Sequence, residues 1–325
     1  MNKLLLLPAL LTVSLLAQTF NVSTTPELRT ALTNAAQNGE DDTIILADGT
    51  YKTTDDGQGT FIFLDSEDKN LTLQGSSSTN VILSGDHQHQ IFNHNSTLNA
   101  PLKLEKLSFV DGNNTVDNGG GVNTDYSIEV LDCNFTGNSA GLSGGGFYAG
   151  SYASTHSIVV SNSVFENNIA SSGGGFSSGT HIVTANYVLI RNSLFINNSA
   201  AEGGGFFSCN TQQNTTVIDS ELIDNNASQN GGGFFSYQDV IVSSSKFDKN
   251  RAGGYGGGFY ISDYITTVTD SVFTNNSASD GGGFYSRYST STVVNSVFTN
   301  NSANSGGGFR VQYLKASNII VSSNN

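Results

Sequence analysis

Residues 256–284, Gly256-Gly-Gly-Phe259-Tyr-Ile-Ser-Asp-Tyr-Ile-Thr-Thr-Val268-Thr-Asp-Ser-Val-Phe273-Thr-Asn-Asn276-Ser-Ala-Ser-Asp-Gly281-Gly-Gly-Phe284, hold the two marks on which the fold turns. The first is three glycines followed by an apolar residue. It occurs eight times, ending at Val122, Phe147, Phe176, Phe206, Phe234, Phe259, Phe284 and Phe309, at spacings of 25, 29, 30, 28, 25, 25 and 25. The second is an apolar residue with Asn three places on. It reads Phe135/Asn138, Phe165/Asn168, Phe195/Asn198, Leu222/Asn225, Phe247/Asn250, Phe273/Asn276, Phe298/Asn301 and a degenerate Val321/Asn324. Five places before it stand Val130, Val160, Ile190, Val217, Val242, Val268 and Val293, and seven places before it Ile128, Ile158, Val188 and Val240. That is alternation with period two, the pattern of strands. Each repeat offers three short strands separated by turns, too little to bury an apolar side alone. Stacking repeat on repeat pairs every strand with its successor in parallel, and a parallel crossover is right-handed. The reading is all-β: a right-handed parallel β-helix of 25–30 residues per coil.

In such a coil both Phe columns point inward. The glycines allow φ > 0 and a close approach of the next coil. Asn at a fixed turn position adopts the left-handed conformation and bonds to its counterparts above and below. A polar column three places before the second mark (Asp132, Asn162, Asn192, Asp219, Ser244, Asp270, Asn295) reads as a turn ladder, with cation binding as the other reading.

Composition narrows the function. There are 13 Lys+Arg against 27 Asp+Glu, a formal charge of -14, and 12% charged residues. So few cations would repel a phosphate backbone, which excludes a nucleic-acid partner. Three Pro exclude collagen and two Cys exclude a disulfide scaffold. Cys133 and Cys209 fall three coils apart, about 14 Å at strand spacing, so they are expected as free thiols packed like the Ser they replace. Met1-Asn-Lys3, the apolar run Leu4 to Ala17 and the polar Gln18-Thr19 have the layout of a secretory signal peptide over residues 1–17; an amino-terminal anchor is the other reading. No other segment is apolar enough to span a membrane. Residues 18–325 are expected as one domain, with a cap and first coils over 18–118 and the repeats over 119–325. Pro26 to Ala36, capped by Thr25, is expected as a short helix over the open end of the stack. Strands are expected over Thr43 to Tyr51, Leu71 to Gly75, Val81 to Gly85 and Leu104 to Phe109.

Residues 26–85 resemble the amino-terminal cap and first coils of pectin-lyase-like β-helix proteins. The GGGF and FxxN marks over 119–325 resemble the GGA[ILV] and FxxN repeats of chlamydial polymorphic outer membrane proteins, with Phe in place of the aliphatic residue and no autotransporter barrel following. The chlamydial resemblance implies surface display and adhesion. The wider family includes polysaccharide lyases and hydrolases, so fold alone does not choose. Against the polygalacturonase motifs, Asn123-Thr-Asp125 matches NTD, Asp41-Asp42 and Asp55-Asp56 lie upstream in the wrong order, and GHG and RIK are absent. Arg191, Arg251, Arg287 and Arg310 look scattered, and His87-Gln-His89-Gln reads as a solvated loop before a metal site. No catalytic residue, metal or cofactor is expected.

The residue after each GGG-apolar mark should point outward. That column runs Asn123, Tyr148, Ser177, Phe207, Phe235, Tyr260, Tyr285 and Arg310. Its exposed aromatics suit sugar rings or a protein partner, or else stack on one another and stiffen the coil. From GGGF-Phe to the second mark the distance varies from 13 to 19, so insertions gather on one edge, the longest around Ser151 to Ser157 and Gly179 to Asn186. The expected ligand-binding residues are Tyr148, Phe207, Phe235, Tyr260, Tyr285, His156 and His181. The expected function is adhesion to, or recognition of, a host or neighbouring-cell glycan or protein by a secreted or surface-displayed protein, at the outer membrane if the source is bacterial. A carbohydrate-active enzyme, a polysaccharide lyase or glycoside hydrolase, is the alternative, and a purely structural spacer is a third; end-to-end self-association is a separate expectation.

Overall fold

The computed structural model describes residues 17–65, 67–96, 100–150, 156–179, 186–209 and 214–325; the side chains of His156 and Asn186 also lie outside what is described. Successive repeats pair in parallel and in register, Phe259 with Phe284, Val268 with Val293 and Phe273 with Phe298. Strands of the GGGF mark and of the Val column build one 20-stranded sheet, and strands of the second mark build an 11-stranded sheet, one strand per coil. Short parallel pairings and single bridges close the third side. The chain is a parallel β-helix of about eleven coils with one short helix.

Ring thickness explains why Phe fills the core. Parallel strands lie about 4.8 Å apart, close to the spacing of stacked aromatic rings. Phe147, Phe176, Phe206, Phe234, Phe259, Phe284 and Phe309 stack with centroids 4.6–5.3 Å apart, and Phe109, Phe135, Phe165 and Phe195 stack at 4.7–4.9 Å. The two columns meet at a tilt near 50°, as in Phe176 on Phe195. Each buried ring contributes about 1.5–3 kcal/mol of burial. The triple glycine serves two needs. The first of the three, such as Gly256 at φ 66°, turns the chain through the left-handed region. The second and third have no room: a Cβ on Gly257 or Gly258 would collide with the carbonyl oxygen of Gly282 or Gly283 in the next coil.

The Asn column is a buried amide ladder. Asn250 donates its backbone N–H and its Nδ2 to Asn276 Oδ1 (2.9 and 3.0 Å), and Nδ2 also to the carbonyl of Leu222 at 2.7 Å. Its Oδ1 accepts from the backbone and Nδ2 of Asn225. The left-handed residue is not this Asn, as expected, but its predecessor (Asn167, Asn197, Asp224, Lys249, Asn275, Asn300), because the amide can reach both neighbouring coils only from an inward-facing position. The polar column from Asp132 to Asn295 is also left-handed, φ 47–53° at all seven positions, which is the turn-ladder reading; Asn295 Nδ2 donates to Asp270 Oδ1.

Other expectations shift slightly. The helix runs Thr25–Ala35 with Thr24, not Thr25, as N-cap, its side chain accepting from the N–H of Glu27. Thr43 to Tyr51 splits into Asp42–Leu46 and Gly49–Lys52 around Asp48, and Leu104 to Phe109 into Leu102–Glu105 and Ser108–Val110 around Lys106 at φ 56°. A strand at Gln18–Val22, unread in the sequence, pairs with Asp42–Leu46 and opens the stack. Both cysteines are free thiols. Cys133 occupies a Ser column: its N–H donates to Ser163 Oγ, and its Sγ lies 3.2 Å from the Leu131 carbonyl, the pattern that Ser163 and Ser193 repeat. Burial pushes this thiol up to about 12. Cys209 does not replace a Ser in that column; it packs beside the aromatic cluster described next.

Candidate functional site

The expected outward column exists in register: Tyr148, Ser177, Phe207, Phe235, Tyr260, Tyr285 and Arg310 follow one another coil by coil. Its exposure is corrected. Phe207, Phe235 and Tyr260 are 5%, 1% and 4% exposed and form a second apolar cluster outside the main core. Phe207 and Phe235 meet edge to face at 5.3 Å, and Phe235 meets Tyr260 at 4.9 Å. Tyr237, one residue past the strand Phe234–Ser236, packs on Phe235 at 4.5 Å, and Tyr255, before the GGG turn, packs on Tyr260 and Tyr285. These two tyrosines were not in the predicted column, and they take up the ring faces a ligand would need. Tyr148 and Tyr285 are half-buried; Tyr148 lies against Gly150 and Gly179, where a Cβ would strike its ring. His181 and the side chain of His156 lie outside the described residues.

Next to that insertion edge the outer face of the sheet is grooved. The groove, about 390 Å³, crosses successive coils over Asn70, Pro101, Lys103, Glu129, Val159 and Tyr187. Tyr187 is 42% exposed and opposes Ser157; both belong to strands (Asn186–Arg191 and His156–Ser161) that begin where the two longest insertions end. Alternation around Val188 places Tyr187 outward, a signal the glycine-marked column drew attention away from. Lys103 pairs with Glu105 at 3.1 Å. Burial pulls the Glu105 carboxyl up, but Lys103 and Lys106 outweigh it and hold it below its ordinary value. The groove carries an aromatic ring, a cation, an acid and amide and hydroxyl groups, and it runs across successive coils.

The remaining candidates serve coil-to-coil contacts. Asn123 gives its amide to Asn93. Arg191 donates to Ser161 Oγ at 2.8 Å. His87 is exposed in a turn, 3.6 Å from Asp111, and His89 bonds to Thr53. His94 differs: it points inward, stacks on Phe63 at 5.2 Å, and bonds through Nδ1 to Thr124. Burial lowers its pKa to about 4. The unfolded imidazole titrates near 6.5, so below that pH the unfolded chain binds a proton that the folded chain refuses. Stability should therefore fall as pH drops from about 6.5 to about 4, by up to about 3 kcal/mol, and His94→Phe should remove that slope in urea melts at stepped pH. An unchanged slope in the variant would assign it to other groups. Among the described residues no group of three His, Cys, Asp or Glu is placed to hold a metal ion, and no helix is long and apolar enough to cross a membrane.

Residues 270–287 match the profile of the Chlamydia polymorphic membrane protein repeat. No curated protein matches the chain. Among solved structures, similar chains include a PL6 family polysaccharide lyase from Pseudopedobacter saltans (14% identity, TM-score 0.38, covering 93% of this chain and 92% of that one). A PL6 family alginate lyase variant follows (12%, 0.35, 93% and 50%), as does a mannuronic acid specific family 6 lyase from human gut microbiota (11%, 0.29, 93% and 83%). Scores of 0.38 and below carry no activity over to this chain. The protein is a parallel β-helix whose repeat at residues 270–287 matches that of the Chlamydia polymorphic membrane proteins.

Proposed function

We propose that this chain is an exported recognition protein, a single β-helix domain over residues 18–325 behind a signal peptide at 1–17, displayed at a cell surface or secreted. It acts by adhesion to a glycan or protein and without catalysis. Its contact surface is the insertion edge, including His156 and His181, together with the groove at Tyr187; Tyr148 and the rims of Tyr255 and Tyr285 extend that surface along the coil. The observation that carries the reading is the exposed Tyr187 in a groove crossing successive coils, beside the two longest insertions. A scaffold whose coils are held by backbone ladders leaves its outer side chains free for contact. The match to a membrane-protein repeat supports surface display.

The test is a glycan array and a cell-binding assay with the full chain, followed by Tyr187→Ser. Binding should weaken about tenfold, as for loss of one aromatic anchor, while stability changes by less than about 0.5 kcal/mol. Equal binding by the variant would remove the groove from the contact surface. Release of unsaturated products from a polysaccharide would replace adhesion with lyase chemistry.

A further inference from the structure

Acidic residues stop short of the carboxy-terminal coils. All 27 Asp and Glu lie before residue 281, whereas residues 281–325 carry Arg287, Arg310 and Lys315. Two of these three cations line one cavity of about 210 Å³ with Tyr285 and Tyr288, away from the groove at Tyr187. The cavity arises from a step in coil length. Between the paired positions Ser286/Val311 and Thr290/Tyr313, three residues (287–289) face the single Gln312, so Arg287 and Tyr288 project as a ledge that the coil of Gln312 leaves uncovered. Tyr288 holds φ 59°, the left-handed conformation that bulky residues rarely adopt and that turns the chain out at the ledge. Ser289 pins the ledge from below, bonding to Ser286 and to the Tyr264 carbonyl.

The guanidiniums are positioned by rings. Arg287 lies 4.4 Å above the Tyr288 ring and donates to its hydroxyl; Arg310 lies 5.2 Å from the Tyr285 ring. Stacking occupies a guanidinium's face and leaves its in-plane N–H groups to an acceptor. Arg310 gives one nitrogen, Nη1, to Asp280; Arg287 bonds the side chains of Tyr288 and Tyr260 and has no carboxylate partner among the described residues, so each guanidinium keeps further N–H groups for a ligand. We propose that Arg287, Arg310, Tyr285 and Tyr288 form a binding site for a tetrahedral oxyanion, the sulfate or phosphate monoester of a sugar. Two forks from different coils present more donors than the two oxygens of a carboxylate can fill, whereas a monoester offers three terminal oxygens. The ester oxygen leads outward past Tyr288, 59% exposed, whose ring edge meets the sugar carbons. This site lies apart from the groove at Tyr187 and shares only Tyr285 with the contact surface proposed above.

Calorimetric titration of the full chain with inorganic sulfate, galactose 6-sulfate and glucose 6-phosphate tests it, with galacturonate as the carboxylate control. Saturable binding of at least one monoester is expected, weaker binding of galacturonate, and at least a tenfold loss in both Arg287→Gln and Arg310→Gln. Arg287→Lys, which keeps the charge and loses the fork, should also bind more weakly. Melting curves of the variants should match the parent, since both side chains lie on the surface. The relative affinity for the two esters identifies the source of the anion. No saturable binding of either ester, tighter binding of galacturonate, or parent-like affinity in both Gln variants would overturn the proposal.

Discussion

Asn250→Leu should destabilise the protein by about 3–6 kcal/mol and split its urea transition in two. Leu has the branching and heavy-atom count of Asn but is bulkier, so no cavity opens, and overpacking adds to the lost hydrogen bonds. The substitution removes the bonds that Nδ2 gives to the Leu222 carbonyl and to Asn276 Oδ1, and the two that Oδ1 receives from Asn225. The Asn225 N–H, one Asn225 amide hydrogen and the Leu222 carbonyl then lose these buried partners, at about 1–3 kcal/mol each. Water cannot replace them, because Asn225 and Asn276 are fully buried above and below. Each coil touches only its neighbours, so the defect uncouples the two flanking stacks instead of weakening the whole uniformly. Far-UV circular dichroism in a urea series reads both effects. A loss under about 1 kcal/mol in a single transition would mean that the ladder does not hold the coils in register.

Gly258→Ala should cost about 3 kcal/mol through one added methyl group. The backbone of Gly258 is in a region open to any residue, so conformational strain is not the cause. The new Cβ would collide with the carbonyl oxygen of Gly283 and sit 3.2 Å from the ring of Phe273. The carbonyl belongs to the next coil and can yield only if the coils separate, which stretches the parallel hydrogen bonds and unstacks Phe259 from Phe284, now 4.8 Å apart. Gly254→Ala is the control. There the nearest atom is the side-chain tip of Asn230, so the cost should be smaller. Equal losses at the two positions would show that the glycines are selected for chain flexibility and not for contact between coils.

The repeat made the coil legible because its constraint is local and recurs. Phe259, Val268 and Phe273 show the same alternation in every turn, and only parallel stacking satisfies all the turns together. Inward positions could be assigned because a one-residue slip would bury the polar set, and the pairing of Val268 with Val293 agrees with that assignment. The site was less legible. Phe207, Phe235 and Tyr260 do sit off the core, but their exposure depends on Tyr237 and Tyr255, which belong to no repeated column. Arg287 and Arg310 read as scattered in the chain. A difference of two residues between two coil connections brings them to one cavity.

The sequence by itself determined the period, the parallel stacking, the Phe spine and the ladders, since each follows from residue types repeated at fixed distance. Only the tertiary structure decided which outward residues meet solvent and which cations share a cavity. The reason is physical. Burial within a coil is a property of alternation, whereas exposure on its outer face depends on how far each connecting segment folds back over it, and those segments do not repeat.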